Sequence, residues 1–303
     1  MRGQNNYYLV DVKDKHHNAF YDKHLSPESY DFIEVSKITR YNVDDFGKHV
    51  HEITSNSYIV RHICNNSAEL SSFDSIPLPD LSDDNSACEL LDSLQEIYHR
   101  RQSNRHYSPE GITFDELSKV LQGGCFILDP AKRKDDDKPI MRGMPARRNI
   151  GSGGGLYPIE LFLISSNTVG LENGVYHYNQ EQVTLDRLVP RGGFRDNNVK
   201  EIVQEIFFSL SRADMDFVNV SGIIILAGCL NRTAYKYQDR GLRFALIDAG
   251  AITQNLYLTC AAMDLGCCAC GGYYDDELNE VLGLDGADET VLNVVLVGKK
   301  DIR

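Results

Sequence analysis

Between Leu242 and Leu265 the chain places apolar side chains almost all round a helix: Phe244, Ala245, Leu246, Ile247, Ala249, Ile252, Leu256, Leu258, Ala261, Ala262 and Met263. A surface helix needs only an apolar stripe, whereas one that is apolar all round must be buried on every side. The rest of the chain therefore has to be laid around this helix. Short apolar runs of strand length are available for that: Ile159–Ser165, Val175–Tyr178 after an Asn173-Gly174 turn, Gly222–Gly228, Cys267–Gly271 and Leu292–Gly298. They alternate irregularly with helical stretches at Val199–Leu210 and Asp275–Leu282, without βαβ spacing, which points to an α+β fold. At 303 residues the chain can bury one large core or two modest ones.

The formal net charge of −13 argues against nucleic acid and anionic membranes as partners. The longest aliphatic run, Gly222–Leu230, is far short of the roughly 20 residues of a spanning helix. The N-terminus has no apolar signal-peptide core. A cytoplasmic protein is expected, with its eight cysteines reduced. Cys267-x-x-Cys270, with Cys268 between, has metal-like or redox-like spacing, but no second ligand pair accompanies it, so small core residues are the better reading. Five of the nine histidines lie between His16 and His51 at spacings that match no metal motif.

Residues 1–84 are polar and mixed, with short alternating pieces such as Ser57–Val60 that suit strands. Ser71–Ser86, rich in Ser, Asp and Pro, reads as a linker. From Ser86 a helix is marked by Leu90, Leu91, Leu94, Ile97 and Tyr98 on one face, and it ends in Arg100-Arg101-Gln102-Ser103-Asn104-Arg105. Three arginines and a serine at a helix end suit a phosphate, or else form a solvated basic face. Thr113-Phe114-Asp115-Glu116 is a capping box opening a helix that ends near Leu121, and Lys132–Lys138 is a charged loop.

Two stretches carry chemistry. In Arg147-Arg148-Asn149-Ile150-Gly151-Ser152-Gly153-Gly154-Gly155-Leu156-Tyr157-Pro158, four glycines in five residues free the backbone for positive φ and close approach. Backbone N–H groups, a hydroxyl and two arginines suit a planar anionic cofactor; the alternative is a flexible surface loop. The G-x-G-x-x-G and P-loop patterns both fail here. In Thr233–Arg243, Lys236-Tyr237 offers an amine and a phenol, with Arg240 and Arg243 near enough to lower both proton affinities; exposed surface residues are the plain alternative. Adjacent residues on a strand point apart, so both can reach one substrate only if this segment is a loop. His177 fits an ordinary strand position better than a catalytic one.

Arg-Arg followed by Ser-Gly-Gly-x-Leu-Tyr-Pro-Ile-Glu resembles the flavin loop of the SagB/McbC-type azoline dehydrogenases, a branch of the FMN-dependent nitroreductase superfamily. The family usually carries Pro at 151 and Ala at 155, where this chain has Gly. The Arg-x-Ser-x-Arg spacing at 101, 103 and 105 is similar to the nitroreductase FMN-phosphate and flavin-edge motif. Lys-Tyr-x-x-Arg-Gly-x-Arg resembles the Lys-Tyr catalytic motif of azoline dehydrogenases, which simple nitroreductases lack. The resemblance covers about Leu90–Gly298.

It implies a nitroreductase fold, mainly antiparallel sheet wrapped by helices, in a homodimer with FMN at the interface and the Leu242–Leu265 helix at its centre. It implies FMN contacts from Arg101, Gln102, Ser103, Arg105, Ser152, Gly153, Gly154, Gly155, Arg240, Arg243 and Gln254, from Gly271 and Gly272, and from a terminal base such as Lys299. Residues 1–84 would be an extension that docks a partner or the peptide leader, and 85–303 the catalytic domain. The implied reaction oxidises thiazoline or oxazoline rings of a ribosomally made peptide to thiazole or oxazole, with Lys236 or Tyr237 as base, flavin N5 as hydride acceptor and oxygen reoxidising the flavin. A cyclodehydratase would supply the azoline-containing precursor peptide. Two alternatives stand beside it: an NAD(P)H-dependent nitro or quinone reductase, and a flavin-free scaffold subunit.

Overall fold

A computed structural model describes residues 24–58, 60, 76, 89–128, 147–192, 198–208 and 215–301. The Lys132–Lys138 loop lies outside them, as does all of the Ser71–Ser86 linker except Ile76. The described elements are α1 (Pro27–Ser36), α2 (Val43–Ser55), α3 (Glu89–Arg100), β1 (Ile112–Thr113), α4 (Phe114–Gly124), β2 (Ile159–Ser165), β3 (Thr168–Val169), β4 (Gly174–Asn179), β5 (Thr184–Leu188), α5 (Val199–Ile206), β6 (Gly222–Cys229), α6 (Asn231–Tyr237), α7 (Arg240–Ala262), β7 (Leu265–Cys270), α8 (Asp275–Leu282) and β8 (Glu289–Lys299).

The apolar runs read from the sequence become a six-stranded sheet in the order β5-β4-β2-β6-β8-β7, antiparallel at every pairing. A side-chain period of two sends alternate residues to opposite faces. In β2, Ile159, Leu161 and Leu163 enter one core, with α4 and α7, while Phe162 and Ile164 enter a second, with α5 and α8. Both faces are covered, which is why β6 reads as an unbroken apolar run, Ile223–Ala227, rather than as an alternating one.

The capping box forms as expected: the Thr113 hydroxyl accepts from Glu116 N, and the Glu116 carboxylate accepts from Thr113 N at 2.7 Å. The long apolar helix is α7. It buries Leu242, Ala245, Ala249, Ile252, Leu256 and Cys260 on one face. The expectation of burial on every side is not met within one chain, because the sheet and α4 cover only that face. Leu246 and Ile247 on the other flank are 41% and 64% exposed. The apolar face of α3 is open as well, with Leu90 81% and Tyr98 50% exposed.

The N-terminal part is not the strand-bearing segment expected around Ser57–Val60; residues 57, 58 and 60 are helical. Leu25 and Ile33 join the α7-side core, and Lys37 pairs with Asp276 at 2.8 Å. The segment around α1 thus packs on the same body as the catalytic candidates.

Helices α6 and α7 meet at an elbow where the space left by a glycine is filled by backbone. A β-carbon on Gly241 would lie 2.7 Å from Ala234 N and 2.9 Å from Thr233 O. Gly241→Ala therefore forces the helices apart and should lower unfolding free energy by about 1–3 kcal/mol, the usual range for overpacking. Denaturant titration checks this, and an unchanged midpoint would contradict the tight elbow.

Candidate active site

The glycine-rich stretch arrives beside α7 as a tight turn. Gly153–Gly155 form one 3₁₀ turn, in which Gly155 N donates to Ser152 O at 3.0 Å. Gly154 and Gly155 sit at φ +67° and +66°, where L side chains are disfavoured. The Ser152 hydroxyl accepts from Tyr157 N at 2.9 Å and closes the turn. Tyr157 itself is held at φ +46°.

Beneath the turn lies Asp248, a carboxylate in the middle of α7 and almost wholly buried. Burial pushes its pKa up, while the Ser152 hydroxyl, the Gly153 N–H and the nearby Arg148 charge work against that rise. Arg148 turns inward. Its guanidinium lies 4.7 Å over the Tyr157 ring and bonds to Gln180, and the Arg148 backbone N–H donates to the Tyr157 hydroxyl at 3.1 Å. It is a support of the loop rather than part of its open face.

Lys236 and Tyr237 come down onto this turn. A β-carbon on Gly154 would stand 2.5 Å from Tyr237 Oη and 2.9 Å from Lys236 Nζ. Lys236 Nζ lies 5.0 Å from the Tyr237 ring centroid, and Tyr237 packs edge-on against Phe244 at 4.9 Å. The sequence reading required a loop for both side chains to meet one target. The structure corrects that: both belong to the last turn of α6, which Gln238 ends at φ +50°. Adjacent helical residues diverge by about 100° rather than 180°, so one short helix can bring both to a single glycine.

The arginine cluster forms a second group. Arg101 faces the Tyr257 ring at 5.7 Å, and Ser103 Oγ meets Tyr257 Oη at 3.2 Å. That hydroxyl also accepts from Ala269 N at 2.7 Å, and Asn104 N donates to Cys267 O, which ties the segment to β7. Among the described residues neither Arg101 nor Arg105 has a carboxylate partner. Two part-buried guanidiniums without a carboxylate fit a phosphate.

Phe244 and Asp248 mark the loop on α7, and Tyr257 marks the arginines, nine to thirteen residues on. At 1.5 Å per residue the two groups stand about 14–20 Å apart along the helix. The structure does not bring them onto one point within a chain. Gln102, Arg240, Arg243 and Gln254 are exposed. Gly271 opens onto free space, whereas the room left at Gly272 is taken by the Phe208 carbonyl. Lys299 pairs with Glu110. Cys267, Cys268 and Cys270 are buried in β7, as core residues.

Three supporting groups are given no role in the sequence analysis, although Glu160 ends the Ser-Gly-Gly-x-Leu-Tyr-Pro-Ile-Glu motif. Asp248 is one, and its only signal is a charge inside an apolar helix. Arg232 and Glu160 are the others. Arg232 Nη1 lies 2.5 Å from Glu160 Oε1 and donates to Tyr157 O at 3.2 Å. Glu160 Oε2 lies 2.9 Å from His177 Nε2. Burial would raise the Glu160 pKa, but the bond from His177 and the charge of Arg232 outweigh it and hold the carboxyl below its usual range.

FMN fits what these residues offer. The turn presents backbone with open space at Gly151 and close cover at Gly154, and the separate group at Tyr257 presents guanidiniums for a phosphate.

The model of the Nitroreductase family matches residues 98–299. A Methanocaldococcus jannaschii protein named as a nitroreductase is 28% identical over 208 residues, 68% of this chain and 91% of its own length. The microcin B17-processing protein McbC of Escherichia coli is 28% identical over 188 residues, 60% of this chain and 63% of that protein. A chain of the E. coli microcin synthetase McbBCD complex, solved with truncated pro-MccB17 bound, superposes with a TM-score of 0.62 at 20% identity, covering 97% of this chain and 98% of that one.

The glycines separate into those that must be glycine and those that need not be. Gly154→Ala meets both an unfavourable φ and the Lys236–Tyr237 ends, and should cost about 1–2 kcal/mol from the backbone alone. Gly151→Ala, whose β-carbon meets nothing within 4 Å, should stay within about 0.5 kcal/mol. Equal effects in thermal or chemical unfolding would contradict this geometry.

Proposed function

This chain belongs to the nitroreductase family, and from that premise we propose that it is an FMN-dependent azoline dehydrogenase. It would oxidise thiazoline or oxazoline rings of a ribosomally made peptide to thiazoles or oxazoles. The observation that carries the reading is the convergence of Lys236 and Tyr237 on Gly154. A reductase fed by NAD(P)H would have no use for a paired amine and phenol over the glycine turn. Likeness to the microcin B17-processing protein supports the same branch.

In the oxidation the ring loses a proton from one carbon and a hydride from its neighbour, and gains a double bond. Bound FMN supplies the hydride acceptor. This chain supplies the rest. The glycine turn offers backbone that is open at Gly151, beside the Lys236 and Tyr237 ends, against which the edge of a flat ring system can lie. Lys236 Nζ or Tyr237 Oη, held within reach of Gly154, takes the ring proton, and the neighbouring one relays it. Arg101 and Arg105 bind the phosphate, with Ser103 beside them.

The two halves of the site lie far apart along α7, and Leu246, Ile247, Leu90 and Tyr98 are exposed on α7 and α3. A second copy of this chain accounts for both facts. In a homodimer the arginine group of one copy would meet the glycine turn of the other, and the open apolar flanks would be covered. Ring closure requires a separate cyclodehydratase, so the substrate would arrive as an azoline-containing precursor peptide. The N-terminal segment, through its residues outside α1, would offer a docking surface for that partner or for the leader.

Lys236→Ala should retain stoichiometric FMN and lose turnover of an azoline peptide by about 10²-fold or more, the scale of a general base. Tyr237→Phe should fall between wild type and Lys236→Ala if the phenol relays the proton. Near-normal turnover of Lys236→Ala would overturn the assignment, and rapid bleaching of the flavin by NADH but not by the peptide would favour the reductase.

A further inference from the structure

Helix α6 is only seven residues long, and its side chains offer little to fix it. It has no side-chain cap at its N-terminus. Thr233 bonds only to its own preceding turn, through Leu230 O. Its C-terminus ends at Gln238, held at φ +50°, a costly conformation for a residue with a side chain. Among the described residues it makes one ion pair, Arg232 with Glu160.

Arg232 stands one turn before Lys236, so both lie on the same helix face, about 6 Å apart along the axis. Its Nη1 bonds the Glu160 carboxylate at 2.5 Å and the Tyr157 carbonyl at 3.2 Å. Tyr157 is the strained exit residue of the glycine turn, three residues beyond Gly154, and Glu160 is the second residue of β2. Glu160 is in turn fixed on its other oxygen by His177 of β4. The connections close a circuit: Gly154 to Tyr157 through the backbone, Tyr157 to Arg232 through a hydrogen bond, Arg232 to Lys236 through one turn of helix, and Lys236 back to Gly154.

We propose that Arg232 is a positioning residue that sets the height and rotation of Lys236 and Tyr237 over the glycine turn, with Glu160 and His177 fixing its own place. Its Nη1 is engaged by the Glu160 carboxylate and the Tyr157 carbonyl. It acts through the two residues one turn on. A guanidinium nitrogen carries two N–H donors, so Nη1 alone can serve the carboxylate and the carbonyl together. The inference rests on the reading of Lys236 and Tyr237 proposed above.

The test uses the full-length protein and the variants Arg232→Met, Arg232→Lys and Glu160→Gln. A displacement of about 1 Å at a reacting group costs on the order of 10²-fold. Arg232→Met should therefore lower kcat by about 10–100-fold, with KM and FMN affinity within about 3-fold of wild type. Arg232→Lys, which keeps one donor at the same place, should recover part of the loss, and Glu160→Gln should show a smaller defect in the same direction. The decisive comparison is Arg232→Met introduced into Lys236→Ala/Tyr237→Phe. If Arg232 acts through Lys236 and Tyr237, adding Arg232→Met to that background slows turnover no further. Equal losses in both backgrounds, or wild-type kcat in Arg232→Met, would overturn the proposal. If Arg232→Met does not fold, Arg232→Lys and Glu160→Gln carry the same comparison.

Hydrogen exchange separates this proposal from the functional reading beneath it. Should the wild-type protein oxidise no azoline, faster exchange in residues 231–238 and 154–157 of Arg232→Met, with α4 unchanged, would still support the brace. Unchanged exchange there would remove it.

Discussion

The backbone of Gly154 is met by the ends of Lys236 and Tyr237 at distances that no β-carbon would permit. That contact has two requirements. The residue must lack a side chain, and it must hold φ at +67°, which glycine does without the cost an L side chain incurs. The surrounding structure supplies the second requirement. Ser152 closes the turn onto Tyr157 N, Asp248 stands beneath it, and Arg148 braces Tyr157 from behind. A run of glycines alone would be a loose loop; with these supports it becomes a shaped surface with reactive groups above it.

Helix α7 is the common foundation. One face fills the core against β2, β6 and β8. Phe244 and Asp248 near its start support the glycine turn, and Tyr257 near its end meets Arg101 and Ser103. A single rigid rod thus fixes the spacing between two groups that a phosphate-bearing flat cofactor would need. The same rod leaves Leu246 and Ile247 in the open. The homodimer proposed above would cover these two residues and bring the two groups together.

Much of the fold was legible because the sequence patterns are strong. Ile159–Ser165 and Asp275–Leu282 have the bounds their apolar spacing and turn residues suggest, and the Thr113–Glu116 capping box forms as its residue types require. The Lys236–Tyr237 segment was misread because a seven-residue helix has too few positions to display a period. Its dihedral-breaking residue, Gln238, carries no sequence mark of the kind glycine gives. The supports were less visible still. Arg232, Glu160 and His177 lie on three elements far apart in sequence, and only the register of β2 with β4, which sets Phe162 opposite His177, brings them together. Exposure on α7 does not follow from its own residues: an all-round apolar helix calls for cover without saying which chain supplies it, and only the family resemblance, which puts this helix at a dimer centre, points outside its own chain.

The central claim is that the glycine turn and the Lys236–Tyr237 pair form a flavin site for taking a proton and a hydride from an azoline ring. The most direct measurement is the visible spectrum of the purified, FMN-loaded protein, mixed without oxygen with an azoline-bearing peptide. The account predicts loss of the flavin's visible absorbance together with formation of one azole per flavin bleached. A protein that binds no FMN, or whose bound FMN stays oxidised in the presence of the peptide, would contradict it.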